Sequence, residues 1–162
     1  MKRHSLINVL HILDHSLPKQ SGYAYRSHAI LSGLQNRGVK LNVITGPKQG
    51  LVDESSSEVD GISYQRTFLS PDKSTSGIFG QVRTISSTRA KIAEVLGRKQ
   101  ASVIHAHSPC LNGLAAMGHG VPLVYEMRSS WEDAAVSVGT TSEGSPRYRV
   151  SKALETFVIR RA

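Results

Sequence analysis

The chain has 162 residues, enough for one domain with a real core, and 20 basic against 12 acidic side chains give it a net charge of +8. No apolar run reaches membrane-spanning length, and the basic start Met1-Lys2-Arg3-His4 flows into a strand-like pattern without a small-residue cleavage site, so neither a spanning helix nor a signal peptide is expected. Cys110 is the single cysteine, which excludes an intrachain disulfide and fits a reducing compartment.

In chain order, Leu6 to Leu13 reads as a hydrophobic strand. A helix is predicted from Gly22 to Arg37, stopped by Gly38, and Val39 to Thr45 reads as a second strand. Gly46-Pro47 and the acidic stretch after it read as loop. Val59-Asp60-Gly61-Ile62 carries an Asp-Gly hairpin signal, with Ile62, Tyr64 and Arg66 alternating against polar neighbours. After a loop from Ser70 to Gly77, the apolar positions Ile78, Val82, Ile85, Ile92 and Leu96 predict a long amphipathic helix ended by Gly97. Val103 to His107 is a short strand, Pro109 to Met117 a short helix, and Leu123 to Met127 another strand. Ser129 to Pro146, rich in Ser, Thr and Gly, reads as a mobile loop with a helical beginning, and Arg147 to Ala162 as a closing helix.

Strands alternating with helices predict an α/β domain over residues 1–162, a mostly parallel sheet with helices on both faces. In such sheets ligands bind beyond the carboxyl ends of the strands, where strand order reverses. The relevant loops are Asp14 to Gly22, His107 to Asn112, and Arg128 onward. Asp53, Glu54, Glu58 and Asp60 gather four negative charges in one segment, which leaves +12 on the rest of the chain and favours anionic partners. The basic residues are dispersed and aromatics are few, so a dedicated nucleic-acid surface is not expected.

Ser21-Gly22 opens the first helix. There free N–H groups and the helix dipole favour a phosphate, and glycine admits a close backbone approach. Gly22 stands alone, so the spacing of a dinucleotide site is missing. His105 and His107 share one strand face; no nearby carboxylate or cysteine cluster completes a metal site, and none is expected. His107 ends its strand, where active-site groups gather, and His105, one pleat deeper, is expected to be packed in the core. Glu126 and Arg128 point to one face and can pair with each other or meet a ligand; Trp131 either contacts a sugar or lipid or pins its loop. No Gly-x-Ser-x-Gly elbow supports a hydrolase triad.

Several segments together resemble the N-terminal domain of the retaining glycosyltransferases of family 4, which have the two-domain GT-B fold. They are Ser21-Gly22 with its helix and Arg37-Gly38-Val39-Lys40-Leu41-Asn42-Val43-Ile44-Thr45; Val59-Asp60-Gly61-Ile62; Val103-Ile104-His105-Ala106-His107-Ser108; and Gly120-Val121-Pro122-Leu123-Val124-Tyr125-Glu126-Met127-Arg128. Leu13-Asp14-His15-Ser16-Leu17-Pro18 with Ser21-Gly22-Tyr23 and Arg26 is similar to a subgroup linked to exopolysaccharide and exosortase clusters. The resemblance implies a Rossmann-like domain on the acceptor side of the enzyme. It places the donor diphosphate at Gly22 and Tyr23, where the family commonly has Gly-Gly and this chain has Ser21-Gly22. It places His107 near the transferred sugar as the catalytic group, and leaves Arg26, Glu126, Arg128 and Trp131 for the acceptor. The family's E-x7-E motif belongs to a C-terminal domain not in this sequence, so the chain alone is expected to be inactive. The expected substrates are a nucleoside diphosphate sugar and a saccharide or lipid-linked acceptor, with no cofactor. The expected place is the cytoplasm, peripheral at the inner face of the membrane, with Trp131 and its loop toward an anionic surface. A non-catalytic α/β binding domain is the alternative reading.

Overall fold

The structure is a computed structural model that describes residues 7–50, 55–69 and 74–162, with the side chains of residues 131 and 134 excepted. The strands are β1 (Asn8–Leu13), β2 (Lys40–Thr45), β3 (Ser56–Val59), β4 (Ile62–Arg66), β5 (Val103–His107) and β6 (Leu123–Glu126). The helices are α1 (Gly22–Gln35), α2 (Gly77–Arg98), α3 (Cys110–Ala116), α4 (Trp131–Ser137) and α5 (Pro146–Ile159), and a 3-10 turn spans Pro47–Gln49. The sheet order is β3-β4-β2-β1-β5-β6, parallel throughout except where β3 runs against β4. This is the mostly parallel, Rossmann-like α/β sheet that the alternation of elements predicts.

The sheet is buried on both sides because its strands are apolar in both phases. Leu10, Ile12, Ile44, Ile104 and Ala106 face α2 and α3, meeting Ile92, Val95, Ala115 and Ala116. Leu13, Val43, Ile62 and Tyr64 face α1 and meet Leu31. The hairpin turns on Asp60 and Gly61, both at positive φ (49° and 75°), the backbone pair that two-residue hairpins need. His28 of α1 fastens it, with Nδ1 2.8 Å from the Tyr64 hydroxyl and Nε2 3.0 Å from Asp60 Oδ2. Gly38 (φ 80°) closes α1 as expected, its N–H donating to Gln35 O and that of Val39 to Leu34 O.

Two expectations need correction. Gly97 does not end α2, which continues through it to Arg98 and is closed by extended Lys99; glycine stops a helix only by going left-handed, and Gly97 stays helical. The stretch from Ser129 to Pro146 begins helically as expected, with α4, but it is tied down where a mobile loop was expected. Ser145 caps α5 by accepting the Tyr148 N–H, Pro146 takes the first helical position, and the Tyr148 hydroxyl donates to Asp133 at 2.9 Å. The strand residue Leu6, the acidic residues Asp53 and Glu54 and the start of the predicted 70–77 loop lie outside the described residues.

Arg66, at the carboxyl end of β4, is 2 % exposed. It donates to Ser16 Oγ (2.6 Å), Thr45 Oγ1 (3.2 Å), Leu17 O (2.7 Å) and the Ser57 hydroxyl. All four acceptors are neutral. Among the described residues no helix is long and apolar enough to cross a membrane.

Candidate functional site

The chain begins in the middle of the sheet, builds outward through β2 and β4, then returns to the other side of β1 with β5. Strand order therefore reverses between β1 and β5. At this point the α1 face changes chemistry. His11 of β1 lies in register with His105 of β5, and His107 with Glu126 of β6. The ring nitrogens of His11, His105 and His107 come within 4.8 Å of one another. His105 and His107 stack with centroids 4.0 Å apart, and His11 Nδ1 lies 3.1 Å from His107 Nε2.

Arg128, just past β6, closes this cluster. Its Nη2 donates to His107 Nδ1 (2.6 Å), its Nη1 to Ser27 Oγ (2.7 Å) and Tyr23 O (3.3 Å), and its Nε to Glu126 Oε1 (3.1 Å). The guanidinium also stacks over the Tyr23 ring at 4.5 Å. Four of its five N–H groups are thus engaged, and its side chain is 6 % exposed. His107 Nδ1 also lies 3.0 Å from Glu126 Oε2, so it stands between a guanidinium donor and a carboxylate acceptor, and the ring tautomer decides which of them it serves. His11 Nε2 is buried without a partner among the described residues.

Burial holds all three rings neutral at ordinary pH. It lowers His11 to about 2, with the neighbouring histidines adding to the effect, and His105 to about 4; His107 is also lowered, by burial first. Glu126 is lowered to about 2, first by its hydrogen bond with His107, whose Nδ1 lies 3.0 Å from Oε2, and, against a burial penalty, by Arg128. Glu126 is therefore an ionised carboxylate, 22 % exposed at its side chain, shared by His105 (3.3 Å), Arg128 and the exposed Arg26 (3.4 Å). It can accept a hydrogen bond from a hydroxyl. A cation among the histidines would sit against the Arg128 guanidinium, so the donor set suits a hydrogen-bonded network better than a metal.

The loop from β1 to α1 forms the other wall. Ser21 Oγ caps α1 by accepting the Ala24 N–H (3.0 Å) and lies 2.7 Å from His15 Nε2, while His15 Nδ1 is 3.2 Å from Asp14 Oδ2. Asp14, lowered by its hydrogen bond with His15 and by Lys48 (3.4 Å) against a burial penalty, also donates its backbone N–H to the Tyr23 hydroxyl. Burial raises that phenol well above its usual range, so Tyr23 stays neutral. Gly22 is exposed, a Cβ built on it meets nothing within 4 Å, and the N–H groups of Gly22 and Tyr23 have no partner among the described residues. The helix start is capped by a side chain yet open to a ligand.

The structure brings together Gly22, Tyr23, Arg26, His107, Glu126 and Arg128 at the carboxyl end of the sheet. The side chain of Trp131 lies outside the described residues. The burial of the two histidines is the reverse of the expectation. His107 is fully buried under Arg128, and His105, opposite exposed Val124 on a part of the α1 face that the helix does not cover, keeps 19 % side-chain exposure. His11, Asp14, His15, Ser27 and Lys48 join the site without having been assigned to it. The signal available for His11 was its place in the apolar strand Leu10-His11-Ile12.

Residues 21–162 match the glycosyl transferase 4-like domain family. The chain belongs to that family. No curated protein sequence matches it. Among solved structures, sucrose-phosphate synthase from Thermosynechococcus elongatus superposes with a TM-score of 0.72 at 13 % identity, covering 96 % of this chain and 41 % of that one. A second similar structure, the glycotransferase of kitacinnamycin, has a TM-score of 0.48 at 11 % identity, covering 98 % of this chain and 41 % of its own. The chain thus spans less than half the length of these structures. For this glycosyl transferase 4-like domain the first neighbour supports the GT-B type of Rossmann-like fold, and the family match begins at Ser21, the cap of the open helix start.

Proposed function

We propose that this domain is the acceptor-side half of a retaining glycosyltransferase that moves a sugar from a nucleoside diphosphate sugar to a hydroxyl. The observation that carries the reading is the open N-terminus of α1 at the strand-order reversal, with the Gly22 and Tyr23 N–H groups unpartnered and open space over Gly22. These donors and the positive helix end receive the diphosphate, and Lys48 faces the same loop. Ser21 takes the place of the family's first glycine, so its hydroxyl lines this wall, held by His15.

The acceptor hydroxyl meets Glu126, with Arg26 at the exposed rim. Arg128 positions Glu126, and His107 fixes Arg128 from beneath, so His107 acts through its neighbours. Trp131 is assigned to the acceptor from its place after β6. The leaving diphosphate takes the proton, and the protein's part is charge stabilisation and orientation without a cofactor. A saccharide or lipid-linked acceptor at the cytoplasmic face, in polysaccharide synthesis of the exopolysaccharide type, is the context we assign to it.

The test is Gly22→Val in the protein that carries the second, donor-holding domain. Because a Cβ at Gly22 meets nothing, the variant should fold with an unchanged melting temperature. It should lose about 100-fold or more in kcat/KM with the nucleotide sugar, on the order of one lost transition-state contact. Near-normal turnover would reduce Gly22 to a helix start and overturn the reading.

A further inference from the structure

We propose that the first turns of α2 dock on an anionic lipid surface, with Ile78, Phe79 and Val82 entering the lipid and Arg83 facing the headgroups. The helix is inside-out at this end. Its buried positions are Gly80, Thr84 and Thr88, small or polar, whereas Ile78, Phe79 and Val82 are 80 %, 81 % and 58 % exposed. Only further along do large apolar residues, Ile92 and Val95, turn inward. The orientation is fixed: a Cβ on Gly80 would overlap the Thr75 backbone, so no larger residue can take the inner place and the helix cannot roll its apolar residues under.

Charge selects the occupant. Arg83 lies beside the patch, while further along the helix Arg89 is held by Met117 O and Lys91 by Glu94, and the chain as a whole carries +8. Two copies meeting through this patch would bring like charges together, whereas an anionic bilayer attracts both the patch and the net charge. Three adjacent aliphatic and aromatic side chains beside a cation suit the headgroup–acyl boundary. Topology then places the surface. A crossover helix runs against the strands it joins, so the start of α2 lies at the carboxyl end of the sheet; it packs by the Pro47–Gln49 turn, and exposed Phe68 follows β4 at that end. The candidate site opens at the same end, so docking would present its mouth to the lipid surface. The segment differs from the Trp131 region that the sequence reading turned toward a membrane.

The experiment is co-sedimentation of the chain with phosphatidylcholine–phosphatidylglycerol vesicles, with pure phosphatidylcholine vesicles as the neutral control. The wild type should bind the anionic vesicles and release with salt. Ile78→Ser/Phe79→Ser should weaken binding about 10- to 100-fold without lowering the melting temperature, since both side chains are already in water. Arg83→Gln should weaken it about fivefold. Phe79→Trp should add quenching by brominated acyl chains beyond that of the wild type. Binding that survives the double serine change, or no added quenching, overturns the proposal. So does a concentration-dependent dimer abolished by the serine changes while vesicles are ignored, which would assign the patch to a second copy. Binding is read without turnover, so the outcome stands apart from the transferase reading.

Discussion

Replacing Arg128 by methionine removes a guanidinium that joins β6 to α1 and to the histidines beneath, while keeping an apolar stem over Tyr23. Breaking a buried ion pair from one side costs about 3–5 kcal/mol. Glu126 is 22 % exposed and keeps Arg26 and His105, which argues for the low end or below. The hydrogen bonds to Ser27 and Tyr23 and the stacking on Tyr23 are also lost, and we expect a net cost of about 3 kcal/mol. For a domain of this size that corresponds to a fall in Tm of roughly 6–12 °C, read by circular dichroism. Arg128→Lys should recover only part of it, because an ammonium cannot reach Glu126, His107 and Ser27 together. The same change has a second readout. With the guanidinium gone from His107 Nδ1, the ring should titrate at higher pH by NMR, since Glu126 remains and the repelling cation does not. A Tm within about 1 °C of wild type, or an unmoved His107 titration, would refute the account of Arg128 as the organiser of the site.

Acid should weaken the fold early. His11 and His105 are held at about 2 and about 4 from an ordinary 6.5, so the unfolded chain takes up protons first; stability should be level above about pH 6.5 and decline toward pH 4 with up to about 1.4 kcal/mol per unit per histidine, less for partly exposed His105. Glu126 adds its own loss only below its ordinary 4.5, so a urea midpoint unchanged between about pH 7 and 5 would contradict the neutral-histidine assignment. Gly113→Ala should cost about 1–3 kcal/mol in chemical denaturation, because the new methyl would overlap Val158 and press within 3.2 Å of the Tyr125 ring, where α3 meets α5; a neutral result would mean that this junction yields freely. His107→Ala should lower kcat of the proposed transferase by about tenfold or more and also lower Tm, and activity loss at unchanged Tm would instead place its ring against substrate.

Much of the fold was legible because local signals agreed with it. Asp60-Gly61 announced the hairpin, Gly38 the end of α1, and uninterrupted apolar strands the two-sided burial of the sheet. Gly97 misled because a glycine signals an end only if the chain needs the left-handed region there. Ser145-Pro146 held a cap and a first helical position that the surrounding Ser, Thr and Gly disguised. The site was half legible. Glu126 and Arg128 were placed on one face by alternation, and their pairing, at 3.1 Å, was one of the two readings open to them. The partnership of His11 with His107 depends on which strand lies beside β1, a matter of register that no local pattern encodes. The exchange of roles between His105 and His107 has the same origin. Depth along a strand suggested that His107 would be open, but Arg128 folds back over it from beyond β6, and a side chain arriving from a distant element leaves no trace in the spacing of Val103 to His107.

Among the described residues, the Arg66 guanidinium beneath the β1–α1 loop is a fixed charge whose hydrogen-bond partners are all dipoles. Buried by the Ser16–Leu17 backbone and the hairpin, it is out of reach of counterions and titrates nowhere in the physiological range, even though burial lowers its affinity for the proton. The loop that leads to Gly22 therefore sits over a positive potential that neither buffer nor salt can switch off. An anionic ligand at that loop should show a shallower dependence of affinity on ionic strength than its own charge suggests, because part of the attraction comes from inside the protein. Evolution or design can then alter the exposed cations at the mouth without surrendering the underlying preference for negative charge.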